Sequence, residues 1–172
     1  MGEVGLRLNL GCSDGFLDGY VNVDRDPGLR EVFLDKCDPY KGASFIGLDL
    51  SQDQFGGWPW ENDSVDEIRA HDIFEHLPDK TFTMNESWRV LRPGGRLDIF
   101  IPTTDGRGAW QDPDHKSYWN RNTFFYYTAA DPHYGRFARA YGIKGGFRVV
   151  REEQSTYPDE VVKLRILLEK VA

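Results

Sequence analysis

Residues 8–15, followed closely by residues 21–24, constrain this chain more than any other part of its sequence. The first segment has the pattern of a buried strand that runs into a glycine-containing turn. The second is an apolar strand that ends in the carboxylate of Asp24. Glycine lets a backbone turn sharply and approach a ligand closely, and a carboxylate at the tip of the next strand can accept hydrogen bonds from both hydroxyls of a ribose. The pair therefore predicts a nucleoside-containing cofactor at the carboxyl ends of a parallel sheet.

The composition is that of a folded, acidic domain. The 172 residues suffice for a single domain, residues 1–172, with a substantial core, and 40% of them are hydrophobic. The net charge of −7 argues against non-specific binding to nucleic acid or to an anionic membrane. We find neither a signal-peptide pattern nor an apolar run of membrane-spanning length, so we expect a cytoplasmic location.

The two cysteines, Cys12 and Cys37, match neither a disulfide framework nor a zinc-binding spacing. We interpret them as reduced thiols inside the fold. No metal site is expected from the sequence.

Alternating apolar and helical patterns predict the order of the secondary structure. Strands are expected at residues 6–10, 20–24, 44–50, 65–70, 96–101, 147–154 and 161–171. Helices are expected at residues 29–37 and 81–91, and residues 92–95 should end the second helix in a tight turn. This pattern predicts an α/β fold: a Rossmann-like, doubly wound, mostly parallel seven-stranded sheet with an antiparallel C-terminal hairpin.

The connection between the first two predicted strands is unusually short. Only residues 11–19 lie between them, which is too few for a helical crossover. We therefore predict a loop there, which leaves one face of the sheet thinly covered. Either the aromatic-rich segment, residues 103–146, or a second copy of the chain in a homodimer would cover that face.

Four blocks of the sequence together resemble the class I S-adenosylmethionine-dependent methyltransferases, particularly the small single-domain members of the methyltransferase type 11 kind. The blocks are residues 8–15, 21–26, 63–77 and 88–97. The resemblance implies S-adenosyl-L-methionine as cofactor and methyl transfer to an oxygen, or less favourably a nitrogen, of a small-molecule acceptor. A sugar-linked or other biosynthetic intermediate is the favoured acceptor. Asn9 and Ser13 depart from the family pattern, which usually begins with an acid and carries three closely spaced glycines.

The resemblance also implies which residues contact the cofactor. The expected contacts are Asn9, Gly11, Cys12, Ser13, Asp24, Arg25, Asp49, Leu50, His71 and Asp72. Among them, the Asp24 carboxylate would accept the ribose hydroxyls in charge-assisted hydrogen bonds. Asp49 would read the adenine amino group, since a carboxylate can only accept hydrogen bonds.

A hydroxyl or protonated amine that receives a methyl group must lose a proton, which calls for a base. His115 is the candidate base, because imidazole titrates near neutral pH, and Asp112 is its candidate partner. Similar Asp-Pro-x-His segments lie near the substrate mouth in small relatives. Alternatively, His115 stabilises its loop and Asp112 caps a turn. The pair Glu75–His76 is interpreted as structural, packing against and capping the next helix.

The aromatic-rich segment is predicted to be irregular and to form a lid or acceptor platform. Its candidate acceptor contacts are Trp110, Tyr118, Trp119 and Arg136. A small satellite core over the sheet is the alternative interpretation.

Three other functions remain open at this point. The altered first motif is also compatible with a regulatory or partner subunit that binds S-adenosylmethionine without catalysis. A nicotinamide-dependent oxidoreductase fits poorly, because Gly11, Gly15 and Gly19 do not form the dinucleotide pattern and Asp24 follows too soon. Methylation of nucleic acid is disfavoured by the acidic balance.

Overall fold

The computed structural model describes residues 5–36, 43–51, 56–128 and 132–171, which form one mixed sheet with helices around it. The strands are β1 (Leu6–Leu10), β2 (Val21–Asp24), β3 (Ser44–Gly47), β4 (Val65–His71), β5 (Leu91–Pro102), β6 (Phe147–Thr156) and β7 (Val162–Lys170). The helices are α1 (Leu29–Lys36), α2 (Lys80–Val90), α3 (Gly108–Gln111) and α4 (Pro132–Ala140), with 3₁₀ segments at Phe74–His76 and Arg121–Tyr126. Cys37 lies outside the described residues.

The sheet has seven strands in the order β3-β2-β1-β4-β5-β7-β6. The first five are parallel to one another, and β7 is antiparallel to both β5 and β6. The predicted fold class is therefore confirmed. The direction of winding reverses between β1 and β4, so a crevice is expected at the carboxyl ends of these two strands.

The core follows the central strands. Leu8 and Leu10 of β1, Ile68 of β4 and Ile99 of β5 are completely buried. Polar residues alternate with apolar ones along these strands, as in the Leu-Arg-Leu-Asn-Leu sequence of β1. This alternation of period two is why the central strands were predictable from the sequence.

The connection from β1 to β2 contains no helix, as predicted, and two buried asparagines hold it in place. The Asn9 side-chain amide donates to Asn22 Oδ1 at 2.9 Å and to the Gly15 carbonyl at 3.0 Å. Asn22 Oδ1 also accepts from the Leu17 backbone N–H at 2.9 Å, and the Asn22 amide donates back to the Leu17 carbonyl at 3.1 Å. These bonds replace the packing that a crossover helix would have provided.

Two predicted boundaries in the sheet were wrong. β3 ends at Gly47 rather than at residue 50, so Asp49 belongs to the following loop. β5 begins at Leu91, directly after α2, because Leu91 already has extended backbone angles. Val65 pairs with Leu91 and Glu67 with Arg96, so residues 92–95 form an excursion within β5 instead of a separate turn.

The prediction that residues 103–146 are irregular was also wrong. This segment contains α3, the 3₁₀ helix Arg121–Tyr126 and α4. The 3₁₀ helix starts at a reciprocal cap, in which the Asn120 side chain accepts from the Thr123 N–H and the Thr123 hydroxyl accepts from the Asn120 N–H. Such a cap is local, but the aromatic residues around it obscured any helical period. No helix in the described part of the chain is long and apolar enough to cross a membrane.

An ionic group ties β4, β5 and β7 together across the sheet. Arg165 donates to both oxygens of Asp98, at 3.1 and 2.7 Å, and His71 Nε2 lies 3.2 Å from Asp98 Oδ2. Burial by itself would raise the pKa of Asp98, but the hydrogen bonds from His71 and Arg165 hold that pKa well below its ordinary value of 3.8. The native sheet therefore stabilises the ionised form of this carboxylate.

We expect Asn22→Ala to lower the free energy of unfolding by about 2–4 kcal/mol, because the Asn9 amide and the Leu17 N–H both lose a buried acceptor. Urea denaturation would measure the change. Asn122→Ala, at an exposed asparagine, is the control and should shift the free energy of unfolding by no more than about 0.5 kcal/mol. Equal effects of the two substitutions would contradict the role given to Asn22.

The lowered pKa of Asp98 predicts how stability depends on pH. The ionised Asp98 contributes its full stabilisation of the fold above the unfolded-state pKa. This stabilisation is lost as the pH falls below that value toward the native pKa. We expect Asp98→Asn to remove up to about 1.4 kcal/mol per pH unit from the slope of the unfolding free energy below about pH 4. Denaturation at several pH values would show it. Asp105→Asn should keep the wild-type slope, and an unchanged slope in Asp98→Asn would refute the assignment.

Candidate functional site

A cavity of about 550 Å³ opens at the carboxyl ends of β1, β2 and β4, the crevice expected from the strand order. Its walls come from five short segments. They are Gly11 and Ser13 after β1, Asp24 and Arg25 at the end of β2, Leu48 to Ser51 after β3, Asp72, Ile73 and His76 to Pro78 after β4, and Asp114 and Lys116 from a distant loop. The volume lies in the range of sites for small molecules and cofactors.

Asp24 is held rigidly at the cavity wall. Its Oδ2 accepts from the Ser13 N–H at 2.9 Å, and its Oδ1 accepts from the Asp26 N–H at 3.1 Å. The two bonds fix the plane of the carboxylate. A carboxylate can accept about four hydrogen bonds, so capacity for a diol remains.

Glycine is required at position 11 for two reasons, its backbone conformation and the closeness of a neighbouring side chain. Its φ of +62° lies in the left-handed region, and an added Cβ would lie 2.6 Å from Ile73 Cβ. Ile73 itself lines the cavity. The glycine therefore lets the turn after β1 pack directly against the turn after β4.

Two of the predicted cofactor contacts lie behind the wall. Asn9 is completely buried, and its Oδ1 accepts from Arg69 at 2.8 Å while its amide holds the Asn22 network. Cys12 is buried as well, and its N–H donates to the Val23 carbonyl. Neither side chain lines the cavity, so they shape the turn rather than face a ligand.

The loop after β3 brings Asp49 and Leu50 to the cavity. Asp49 Oδ1 accepts from the backbone N–H and the hydroxyl of Ser51, at 2.9 and 2.6 Å, which makes a tight local turn. The Leu50 carbonyl accepts from the Trp58 indole at 3.3 Å. Both residues line the cavity, where the sequence placed them.

His71 and Asp72 were both predicted to contact the cofactor, but the structure places only one of their side chains at the cavity. The His71 side chain turns to Asp98 and packs on the Phe100 ring, and it does not line the cavity. Asp72 does line it, with a left-handed φ of +51°, and its carboxylate pairs with Lys163 at 2.8 and 2.9 Å. The difference arises where the strand ends: His71 is the last residue of β4, whereas Asp72 begins the following turn with a left-handed backbone.

Asp114 bridges the mouth of the cavity. Its Oδ2 lies 3.3 Å from Arg25, on the opposite wall, and 3.2 Å from His76 Nδ1, while its Oδ1 lies 3.0 Å from Lys116. The hydrogen bond from Lys116 and its charge, followed by His76 and Arg25, lower the pKa of Asp114. The loop that carries Asp114 is anchored by the N–H groups of Lys116 and Ser117, which both donate to the Glu75 carbonyl.

The predicted base, His115, does not line the cavity. Its side chain is only 7% exposed, its Nδ1 lies 3.0 Å from the Ala109 carbonyl, and Asp112 Oδ2 is 4.0 Å from its Nε2. Asp112 is also absent from the lining, and its Oδ1 accepts from the Asp114 N–H as a turn cap. This placement argues against His115 as the base and favours the capping interpretation of Asp112.

The pair Glu75–His76 was interpreted as structural, so His76 was not among the predicted site residues. His76 lines the cavity, and its ring packs edge-on against the His115 ring with centroids 5.0 Å apart. Glu75 is buried beside it, and this burial raises the pKa of Glu75 to about 8. The pair was visible in the sequence, but nothing local marks this histidine as part of a cavity wall.

The four predicted acceptor contacts lie in different surroundings. Trp110 and Tyr118 are exposed and stack with ring centroids 4.4 Å apart. Trp119 is 1% exposed and belongs to the core, so its prediction as an acceptor contact was wrong. Arg136 is exposed, with its guanidinium over the Phe137 ring.

A second cavity, of about 730 Å³, lies beside the first, since Pro78 lines both. Its lining is polar and aromatic and includes Asn120, Thr123, Tyr126, Tyr127, Tyr134 and Tyr141. None of the four predicted acceptor contacts lines it. The tyrosines do come from the predicted aromatic-rich segment.

Comparisons with known proteins agree with this geometry. The chain is 51% identical over 41 residues to methyltransferase GfsG of Streptomyces halstedii, which is 24% of this chain and 15% of that protein. It is 28% identical over 103 residues to an S-adenosylmethionine-dependent methyltransferase of Mycolicibacterium smegmatis, which is 58% of this chain and 38% of the relative. The chain thus matches less than half the length of these curated relatives.

Solved structures share the fold at low sequence identity. A chain from the complex of the Haloferax volcanii Trm112 methyltransferase activator with a methyltransferase superposes with a TM-score of 0.70 at 14% identity, covering 100% of this chain and 85% of that one. An S-adenosylmethionine-dependent methyltransferase from Methanosarcina mazei gives a TM-score of 0.64 at 14% identity, covering 99% and 94%.

A family model also matches the chain. The model of the methyltransferase domain matches residues 8–99, more than half of the chain, and this range contains the turn after β1, Asp24 and the turn after β4. Family members use S-adenosylmethionine as methyl donor. The chain therefore belongs to the class I S-adenosylmethionine-dependent methyltransferases.

Proposed function

We propose that this chain transfers a methyl group from S-adenosylmethionine to an oxygen of a small-molecule acceptor, with nitrogen as the less favoured acceptor atom. The observation that carries the proposal is the fixed Asp24 carboxylate at the end of β2, on the wall of a cavity of cofactor size. The cavity wall offers hydrogen-bond donors and acceptors that suit a nucleoside, and the family membership points to the same kind of ligand.

The residues around the first cavity fit this cofactor. Asp24 would accept the ribose hydroxyls, and Asp49 with the Leu50 amide would face the adenine. Gly11, Ser13 and Asp72 would line the amino-acid end, and Arg25 would border the base. Asn9 and Cys12 would act indirectly, by holding the turn after β1. The carboxylates of Asp24, Asp72 and Asp114 suit a positively charged sulfonium.

When bound, the cofactor supplies a methyl group already activated on a positively charged sulfur, so alignment is the main task of the protein. Transfer of that methyl group to the acceptor oxygen would leave S-adenosylhomocysteine, and the proton of the acceptor hydroxyl would pass to solvent. The contact between Arg25 and Asp114 joins two segments of the cavity lining and would hold them together around the cofactor. His115 lies outside the lining, so it is not proposed as the base.

The second cavity is the proposed acceptor site. It adjoins the first at Pro78, and its tyrosine rings offer flat faces for an acceptor ring, while Asn120 and Thr123 offer polar groups for hydroxyls. Such a lining suits a ring that carries hydroxyl groups, as in a sugar-linked intermediate. Exposed Trp110 and Tyr118 would contact parts of the acceptor that extend outside.

The alternative of a non-catalytic subunit is less favoured. It was motivated by the altered first motif, but Asn9 has a structural role in the Asn22 network, and the ribose acceptor Asp24 is intact. The departure from the family pattern therefore does not remove a ligand-facing group from this cavity.

We expect Asp24→Ala to weaken binding of S-adenosylmethionine about 100-fold, because two charge-assisted hydrogen bonds to the ribose are lost. Isothermal titration calorimetry would measure the affinity. Asp14→Ala is the matched control, since Asp14 is an exposed acid in the turn after β1 and pairs with Lys36 outside the cavity. Affinity that is equal in the two variants would refute the site.

Turnover tests the reaction and the acceptor site. We expect release of S-adenosylhomocysteine with ring acceptors that carry hydroxyl groups, measured over a panel of hydroxyl and amine compounds. Tyr141→Ala should raise the acceptor KM about tenfold with unchanged cofactor affinity, because Tyr141 lines only the second cavity. Tyr157→Ala, an exposed tyrosine between β6 and β7, should match wild type. A chain that binds the cofactor but turns over no acceptor would support the alternative instead.

A further inference from the structure

We propose that Glu75, His76 and His115 bind one divalent transition-metal ion at the wall of the cofactor cavity. The sequence suggested no metal site, because His115 lies 39 residues beyond His76 and no ligand spacing connects them. Their proximity arises only in the folded chain.

The three residues are close enough to share an ion. Each contributes one potential ligand atom, and these atoms all lie within 4.8 Å of one another. The two imidazole rings are nearly perpendicular, at 76°, with centroids 5.0 Å apart. Two backbone hydrogen bonds, from Lys116 N and Ser117 N to the Glu75 carbonyl at 2.7 and 2.9 Å, keep the two chain segments together.

Both histidines are oriented as metal ligands usually are. His115 Nδ1 lies 3.0 Å from the Ala109 carbonyl, and His76 Nδ1 lies 3.2 Å from Asp114 Oδ2. A carbonyl and an ionised carboxylate only accept hydrogen bonds, so each neutral ring carries its proton on Nδ1 and its lone pair on Nε2. Metal-binding histidines are typically oriented by an acceptor on the other ring nitrogen, and here each ring has one.

Glu75 supplies an independent observation. The residue is 2% exposed, and its Oε2 has no hydrogen-bond partner within the described part of the chain. The nearby cation Lys163 is engaged by Asp72. A buried carboxylate oxygen without a partner is costly to keep in a fold. An ion held between Glu75 and the two histidines would satisfy it.

The donor set indicates which ions would bind. Two imidazoles and one carboxylate suit zinc, iron or a similar first-row ion, whereas magnesium and calcium prefer oxygen ligands throughout. Three protein ligands leave coordination positions for a small molecule. Since His76 lines the cavity, the ion would lie at its wall.

Zinc titration of the chelator-treated full chain tests the site directly. We expect one Zn²⁺ per chain by calorimetry, and a loss of affinity of about tenfold or more in Glu75→Gln and in His115→Ala. His133→Ala, at an exposed histidine on α4, is the matched control and should bind zinc as wild type does. Thermal denaturation should show zinc stabilising wild type and the control, but not Glu75→Gln.

If His115→Ala fails to fold, His76→Gln replaces it, since the His76 side chain is 27% exposed and tolerates change better. The proposal is overturned if the wild-type chain binds no zinc, or if Glu75→Gln binds it with unchanged affinity. In that case Glu75 is a protonated structural acid. Cofactor affinity is measured separately, so the two proposals can fail independently. Binding of S-adenosylmethionine without binding of zinc would refute only the metal site. Binding of zinc without binding or turnover of S-adenosylmethionine would refute only the proposed function.

Discussion

The hydrogen bond between the buried side chains of Asn9 and Asn22 is the interaction on which the wall of the first cavity depends. With its partners Gly15 and Leu17, it fastens a helix-free connection between β1 and β2. That connection carries Ser13, whose N–H binds Asp24 Oδ2 and thereby fixes the carboxylate at the cavity wall. Asn9 stands where the first motif of the family usually has an acidic residue. Its amide pairs with the buried amide of Asn22, so no additional charge is buried.

The second organising contact joins two distant parts of the chain. The Glu75 carbonyl accepts from Lys116 and Ser117, so the loop that contains Asp114 is held against the turn after β4. From there Asp114 reaches Arg25 across the mouth. One backbone oxygen therefore links the 3₁₀ turn Phe74–His76, the cavity mouth and the histidine pair. This arrangement is why local changes in residues 112–117 are expected to affect the site as a whole.

The parts of the fold that sequence reasoning recovered are those governed by local rules. The central strands alternate apolar and polar residues, which is a local pattern of period two, and the connection of residues 11–19 is too short for a crossover helix. The errors lie where tertiary pairing overrides local signals. Residues 92–95 look like a turn, yet β4 pairs with β5 on both sides of them. The helices in residues 103–146 were hidden because aromatic residues there pack on several faces, as Trp119 does in the core.

For the site, the sequence by itself determined the residues that follow strand ends: Gly11, Ser13, Asp24, Asp49 and Asp72 all reach the cavity, because parallel strands deliver their carboxyl ends to one edge. Only the tertiary structure decided which side chains of the distant loop face that edge. Asp114 and Lys116 line the cavity, whereas His115 does not. His115 lies instead beside His76 and Glu75. The physical reason is that a loop without periodicity has its side-chain directions set by its anchoring hydrogen bonds, which no local pattern encodes.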